Sequence, residues 1–449
     1  MRIGIVGGGV AGLGCAYFLS QRGHQVEVFE QAPVLGGLAG CFDFDGLQVE
    51  KYYHFVCRDD VDLIAMLGRL GLPDELEWRP GRMKFFYRGQ LYPFGTPWDL
   101  LRFRPLSLLG RIRFGLNVAL SRSAKSWERY EAVTAREWLI SQIGQEAYDV
   151  IWEPLLRIKF GPYYDQISAS WIWHRIHRVA RSRTNILARE QLGFLKRGTP
   201  VLLDALIAEL RHQGVGLQTS VAVEAITVGP DGVTGITVGG QHRAFDTVVS
   251  TAPLPVLARL LPGDAVELIG DIRGIEYITV VCLIMKLRQP VTDAFWINVN
   301  DPAVPFNGFI EYTNLNPRSD VHRPHLLYVP FYLAPSAARF AQPDAELFRD
   351  CLAGLKVVRP DLSEDWVLGY RVFRDRFAQA ICTTNFAQRI PPIRSRIRGL
   401  LLTDSTQLYP SDRTISGMFG PAWKVAELVD ASFPSPPQRQ QGGSDVPAL

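Results

Sequence analysis

No stretch of the chain approaches the roughly eighteen uninterrupted apolar residues that a membrane-spanning helix needs. Neither sign of charge dominates. The formal net charge is +3 and no basic run is long, so nothing points to nucleic acid as a partner. The six cysteines, Cys15, Cys41, Cys57, Cys282, Cys351 and Cys382, are scattered. They form no C-x-x-C and no metal-ligand spacing, which excludes an obvious zinc site or disulfide framework and fits reduced thiols in a cytoplasmic protein. There is no H-E-x-x-H, no P-loop and no kinase signature, and no metal site is expected. A Ser-His-Asp or Cys-His nucleophile has no supporting context. Residues 1–20 carry Arg2 as their one basic residue, so their apolarity is assigned to a glycine pattern rather than a signal peptide. With 47% hydrophobic and 21% charged residues over 449 positions, a soluble globular chain of about two domains is expected.

What is present is concentrated at the start. An apolar strand at residues 3–6 runs into Gly7-x-Gly9-x-x-Gly12, residues 13–21 read as a helix, and a second apolar strand at residues 25–29 ends at Glu30. This is the order of a βαβ dinucleotide-binding unit. Gly7 permits the tight turn, Gly9 lets backbone approach a pyrophosphate, and Gly12 lets helix pack on strand. The helix N-terminus then offers free N–H groups and a positive dipole end, with Val10 and Ala11 in its first turn. Glu30 lies eighteen residues past Gly12, where a carboxylate can accept both ribose hydroxyls. A carboxylate there favours FAD or NAD over NADP. The second glycine pair, Gly36-Gly37, lets another backbone segment, Gln31 to Leu38, approach the same nucleotide, and it favours FAD. There is no second G-x-G-x-x-G for a nicotinamide nucleotide.

The pattern G-x-G-x-x-G, then Glu30, then Gly36-Gly37 resembles the flavoprotein superfamily of amine oxidases, protoporphyrinogen oxidases and carotenoid desaturases, and looks like a bacterial branch of it. The resemblance covers nearly the whole chain. It implies an α/β fold: a discontinuous Rossmann-like (GR2-type) FAD-binding domain with a mixed α+β substrate-binding domain. The FAD-binding pieces are placed at 1–80, 192–258 and 396–432, the substrate-binding pieces at 81–191 and 259–395, and a Pro/Gln/Gly/Ser-rich disordered tail at 433–449. By resemblance, Val223 meets the adenine and the strand-and-turn at residues 246–253, with Thr251, returns to the FAD. An apolar strand at 399–403 ends at Asp404, which faces the ribityl or pyrophosphate. The superfamily has Gly-Asp there; this chain has Thr403. A helix then opens at Ile415 with Ser416, Gly417 and Met418, its N-terminus toward the flavin. No cysteine follows this motif, so the FAD is expected to be non-covalent.

The substrate side is less specific. Lys51-Tyr52-Tyr53-His54 falls where the superfamily chain passes the isoalloxazine, and Tyr53 and His54 are catalytic candidates. Trp152, Glu153, Arg157 and Lys159 surround a Pro154-broken helix and can line a cleft, or form an ordinary surface ion-pair set. Trp171, His174 and Arg178 share one side of a helix, with Trp173, Arg175 and His177 adjacent. That cationic and aromatic face suits a phosphate, carboxylate or sugar, although core tryptophans with extended arginines are as economical. Glu311 and Asn314 among aromatics form a candidate polar-recognition site. The superfamily often places a lysine near flavin N5, and Lys159, Lys196 and Lys286 are the counterparts weighed. Residues 101–122 mix Leu, Ile and Phe with five arginines, which suits peripheral contact with an anionic membrane or a helix hairpin packed on its own domain.

The resemblance implies an FAD-dependent oxidase, dehydrogenase or desaturase that passes hydride from a small-molecule C–H to flavin N5, with O2 or another electron acceptor. A UDP-galactopyranose-mutase-like enzyme and a non-catalytic Rab-escort-like chaperone remain as alternatives.

Overall fold

The computed structural model describes residues 1–121, 126–181, 190–317 and 324–432, so the expected tail at 433–449 and Arg122 lie outside the described residues. A five-stranded, all-parallel sheet holds the N-terminus. Its order is Leu400–Leu402, Thr247–Ser250, Arg2–Val6, Gln25–Phe29, Gly216–Gln218. Alternation of side chains divides its two faces. Ile3, Ile5, Val28, Val249 and Leu401 face the helices Val10–Ser20, Pro200–His212 and Ile415–Ser432. Val6, Phe29, Val248, Leu400 and Leu402 face a core shared with Ile226 and Ile236 of a small antiparallel sheet, Val223–Gly229, Gly232–Val238 and Gln241–Ala244. Such double coverage is why the strands Arg2–Val6, Thr247–Ser250 and Leu400–Leu402 are buried on both faces after Arg2.

The first helix starts at Val10, three residues before the sequence pattern suggested. Gly9 caps it in an extended conformation, so Val10, Ala11 and Gly12 form its first turn. Val10 through Leu19 are all buried, because the helix is covered by the sheet on one side and the outer helices on the other. Fully buried leucines such as Leu13 and Leu19 each contribute about 2 kcal/mol. The strand-and-turn expected at residues 246–253 begins with Thr247–Ser250 in the parallel sheet, while Gln241–Ala244 just before it belongs to the small one. Between them Phe245 packs edge-on to Phe29 and the Asp246 carboxylate accepts the Arg2 backbone N–H at 2.8 Å, which forces the change of sheet.

The second sheet has seven strands in the order Val367–Ala380, Tyr277–Leu287, His325–Leu333, Gly308–Glu311, Trp296–Val299, Met83–Tyr87, Gln90–Pro93. Every residue of Tyr277–Leu287 is buried. Its odd-numbered residues Val281, Leu283 and Met285 face the Asp344–Val358 helix; its even-numbered Val280, Cys282 and Ile284 face the core beneath the helices of 97–181. The fold is thus α/β, a doubly covered parallel sheet beside a large mixed sheet.

Candidate functional site

A cleft of about 670 Å³ runs from the carboxyl ends of the parallel strands to the face of the large sheet. At the strand ends Gly7, Gly9, Val10 and Ala11 line it. The second glycine segment is tied to the first: the Gly36 N–H donates to the Gly8 carbonyl at 2.8 Å, and Gly9 bridges Gly36 in parallel. Gly36 sits at φ +108°, a backbone region closed to other residues. Gly36, Gly37 and Leu38 line the cleft; Gly12 does not, because it is spent inside the protein. A Cβ on Gly12 would stand 1.9 Å from the Gly7 carbonyl oxygen. A Cβ on Gly9 would meet nothing closer than Gly37 Cα at 3.9 Å, so the space over Gly9 belongs to something other than the chain.

Glu30 lines the cleft and is fixed by backbone. Its Oε2 accepts from the Gly8 N–H and its Oε1 from the Ala32 N–H, both at 2.8 Å. Each oxygen keeps a second lone pair for a further donor. Gln31, Val223 and Thr251 complete this end. Asp404, Ser416 and Met418 close it from the other side. Asp404 caps the turn Ser405–Leu408 and is bound by the Tyr277 hydroxyl; burial raises its carboxyl above the usual range. Ser416 accepts the Leu63 N–H at 3.1 Å. Gly417 does not line the cleft; its N–H is capped by Thr414 Oγ1 at 2.9 Å. Thr403 is buried behind the cleft, its N–H on the Ser250 carbonyl at 2.9 Å.

Lys51, Tyr52, Tyr53 and His54 pass between the two ends, held by the preceding residue. The wholly buried Glu50 accepts the Thr199 N–H at 2.8 Å and the Tyr312 hydroxyl at 3.0 Å, and its carbonyl accepts the Tyr328 hydroxyl at 3.1 Å. Glu50 therefore ties the loop to the start of the Pro200–His212 helix and to the large sheet. Tyr53 packs edge-on to Trp296 with centroids 5.4 Å apart, and Phe55 packs on the same ring. Burial pushes the Tyr53 phenol upward and pulls His54 down to about 4. His54 is therefore neutral at pH 7, and among the described residues its buried Nδ1 has no partner.

The opposite wall carries the charge. In the helix Glu153–Phe160, Leu155, Leu156, Lys159 and Phe160 face the cleft. In the helix Ala169–Arg181, Trp171, Arg175 and Arg178 do so, at the i, i+4, i+7 spacing of one helical face. Arg175 pairs with Asp412 at 2.5 Å and Arg178 with Asp60 at 3.1 Å. Burial opposes ionisation of Asp412, yet Arg175, Lys159, Arg178 and Arg413 together hold it down at about 2. Burial brings Lys159 down to about 7 against the pull of Asp412.

Five residues expected at the substrate do not line the cleft. Glu153 turns outward and pairs with Arg157 at 2.8 Å, one helical turn along. Trp152 packs against the core. His174 engages Ser411 Oγ at 3.0 Å, and burial pulls it down to about 4. Glu311 is buried and accepts the Val291 N–H at 3.0 Å and that of Thr292, a structural clasp. Asn314 donates to the Thr292 and Ala294 carbonyls at 3.0 and 2.7 Å. Of the three lysines weighed, Lys159 alone reaches the cleft; Lys286 pairs with Asp45 at 2.6 Å. Asp412, Arg413, Tyr332, Asp375 and Gln379 line the cleft without having been singled out. The Asp412-Arg413 pair directly before a helix start was the one local signal available.

Among the described residues there is no cluster of three or more His, Cys, Asp or Glu able to hold a metal, and no helix long and apolar enough to cross a membrane. The flavin containing amine oxidoreductase family matches residues 10–406. The chain is similar to a 15-cis-phytoene desaturase of Synechococcus elongatus, 24% identical over 65% of this chain and 67% of that one. Against the 15-cis-phytoene desaturase of Narcissus pseudonarcissus it is 25% identical over 58% of this chain, and spans about half (49%) of that relative's length. A crystal structure of a putative protoporphyrinogen oxidase from Exiguobacterium sp. 255-15 superposes with a TM-score of 0.75 at 17% identity, covering 96% of this chain and 99% of the other. Reduced UDP-galactopyranose mutase gives 0.74 at 16% identity, covering 96% of each chain. These two structures share the fold. The match covers most of the chain, and the chain belongs to the flavin containing amine oxidoreductase family, as a flavin-dependent oxidoreductase.

Proposed function

We propose that the cleft binds FAD non-covalently and that the enzyme removes hydride from a C–H of a small-molecule substrate held against the large sheet. The observation that carries this is the empty volume over Gly9, bounded by two glycine segments and the doubly fixed Glu30. The residues fit the group. The first-helix N–H groups, which have no side-chain cap, would hold the pyrophosphate; Glu30 would hold ribose hydroxyls; Val223 would lie at the adenine; Asp404 and the Ile415–Ser432 helix N-terminus would face the ribityl and ring system. When bound, the flavin supplies the hydride acceptor, and O2 or another acceptor takes the electrons. Tyr53, Phe55, Trp296 and Tyr312 form an aromatic wall that orients an apolar substrate body and excludes water. His54, neutral, offers its unpartnered Nδ1 as a hydrogen-bond acceptor. The division at 1–80, 192–258 and 396–432 against 81–191 and 259–395 follows the same reading, since the parallel strands come from the former and the seven-stranded sheet from the latter.

The purified protein is expected to show visible flavin absorption that bleaches with dithionite under anaerobic conditions and returns in air. Heat denaturation should release the chromophore, and chromatography should identify it as FAD. A protein that stays colourless after incubation with FAD overturns the reading, and a chromophore that stays attached overturns its non-covalent part.

We further propose a bilayer contact. Leu108, Leu109, Ile112, Leu116 and Leu120 of the Leu108–Ser121 helix are exposed, Leu109 to 75%, with Trp98 and Leu101 beside them. They are not packed on their own domain. Arg102, Arg104 and Arg113 are exposed nearby, and burial of each large apolar side chain is worth about 1.5–3 kcal/mol. The protein should co-sediment with phosphatidylglycerol vesicles, and Leu109→Asp with Leu116→Asp should abolish this without changing flavin content. A parent protein that stays in the supernatant refutes the contact.

A further inference from the structure

We propose that the charged end of the cleft recognises an anionic group, a carboxylate or phosphate, on a substrate whose remaining body is apolar; this rests on reading the cleft as the substrate site of a flavin enzyme. Three cations converge there on two aromatic rings. Lys159 Nζ stands 4.5 Å from the Trp171 ring centroid and 5.0 Å from that of Tyr332. The Arg175 guanidinium lies 5.7 Å from the Trp171 centroid and that of Arg413 lies 5.8 Å from the Tyr332 centroid. Lys159 is 6% exposed and, among the described residues, has no hydrogen-bond or ion-pair partner. Arg413 spends its guanidinium on one backbone carbonyl, that of Ala378.

The acids nearby are already committed. Asp412 is taken by Arg175 and by Gln379 Nε2 at 3.2 Å, and Asp60 by Arg178. Asp375 faces both Arg413 and Lys51. A buried cation is costly unless paired, and an arginine cannot shed its charge to escape the cost. The surroundings therefore favour an incoming anion and repel an ammonium group. A second, independent feature agrees. Trp171 is 2% exposed and lines the cleft, yet among the described residues its indole Nε1 donor has no acceptor. An anion among these groups would satisfy it. The aromatic wall of Tyr53, Phe55 and Trp296 continues the same cleft, so the arrangement suits an amphiphilic acid with its charged end at Lys159 and Arg413.

The test uses the flavin-loaded protein and four probes that share one phenyl ring: benzoate, phenyl phosphate, benzylamine and benzyl alcohol. Binding is followed by the flavin spectrum and by calorimetry on the same sample. One of the two anions should bind at least tenfold more tightly than the amine and the alcohol, and which one distinguishes carboxylate from phosphate. Arg413→Gln should weaken that anion at least tenfold and leave benzyl alcohol unchanged; Lys159→Gln serves if the first variant does not fold. The anion's affinity should fall as pH rises past about 7, where Lys159, facing Asp412, Arg175 and Arg413, loses its proton, and Lys159→Arg should flatten that fall. Equal or tighter binding of benzylamine, or an unaltered anion affinity in both variants, overturns the proposal. Lack of flavin absorption would instead overturn the flavin reading, while calorimetry still decides the anion.

Discussion

Gly9→Ala is expected to fold as stably as the parent chain and to lose about 100-fold in flavin affinity, roughly 2.7 kcal/mol. Gly9 has φ −73° and ψ −179°, which any residue adopts, and the added Cβ has no neighbour closer than 3.9 Å. The methyl group therefore meets no clash within the protein and falls in the space assigned to the pyrophosphate. Gly12→Ala should behave oppositely. Its Cβ cannot coexist with the Gly7 carbonyl, so helix and strand must separate and the melting temperature should drop with or without flavin. Thermal melts of both variants, with flavin titrations of the soluble fraction, separate the two cases. A Gly9→Ala protein that binds flavin like the parent would show that nothing approaches that backbone closely.

Asp412→Asn should destabilise the fold by about 2–3 kcal/mol. Removing one member of a buried ion cluster strands the others, typically at 3–5 kcal/mol; about a fifth of the Asp412 side chain and a third of Arg175 are exposed, which reduces the figure. The cost should exceed that of an ordinary surface pair because four cations look at this one carboxylate: Arg175, Lys159, Arg178 and Arg413. Lys159 then loses the carboxylate that was raising its pKa, so it should titrate below about 7. Added benzoate or inorganic phosphate should restore part of the lost melting temperature, because a bound anion takes the place of the carboxylate. A variant as stable as the parent would mean that water already screens the cluster.

The cofactor end was legible because its signals are local. Gly7, Gly9, Gly12, Glu30 and Gly36 act within one βαβ unit, where spacing along the chain is spacing in the turn. Lys159 and Trp171 were visible as unusual residues in helical patterns, but what they face was not. Asp412 and Arg413 lie some 250 residues from Lys159 and reach it only through the packing of three distant stretches. The residues that lie away from the cleft share a feature. Glu153, Glu311 and Asn314 look like recognition groups because polar residues among aromatics suggest a ligand. Each is satisfied by its own surroundings: Glu153 by Arg157 one turn away, Glu311 by two amides, Asn314 by two carbonyls. Hydrogen-bond satisfaction by distant backbone carries no sequence periodicity.

The parallel sheet takes its central strand from residues 2–6 and an edge strand from 400–402, and the helix that closes the cofactor end starts at Ile415. On a ribosome adding about 5–20 residues per second, the N-terminal glycine turn emerges roughly 20–80 seconds before the segment that faces it. Until residues 400–402 are made, the Thr247–Ser250 strand lacks the neighbour it pairs with on its outer side, and the glycine turn lacks the helix that faces it across the cleft. Any premature stop ahead of residue 400 leaves the Thr247–Ser250 strand with an unpaired edge for chaperones or proteases to meet.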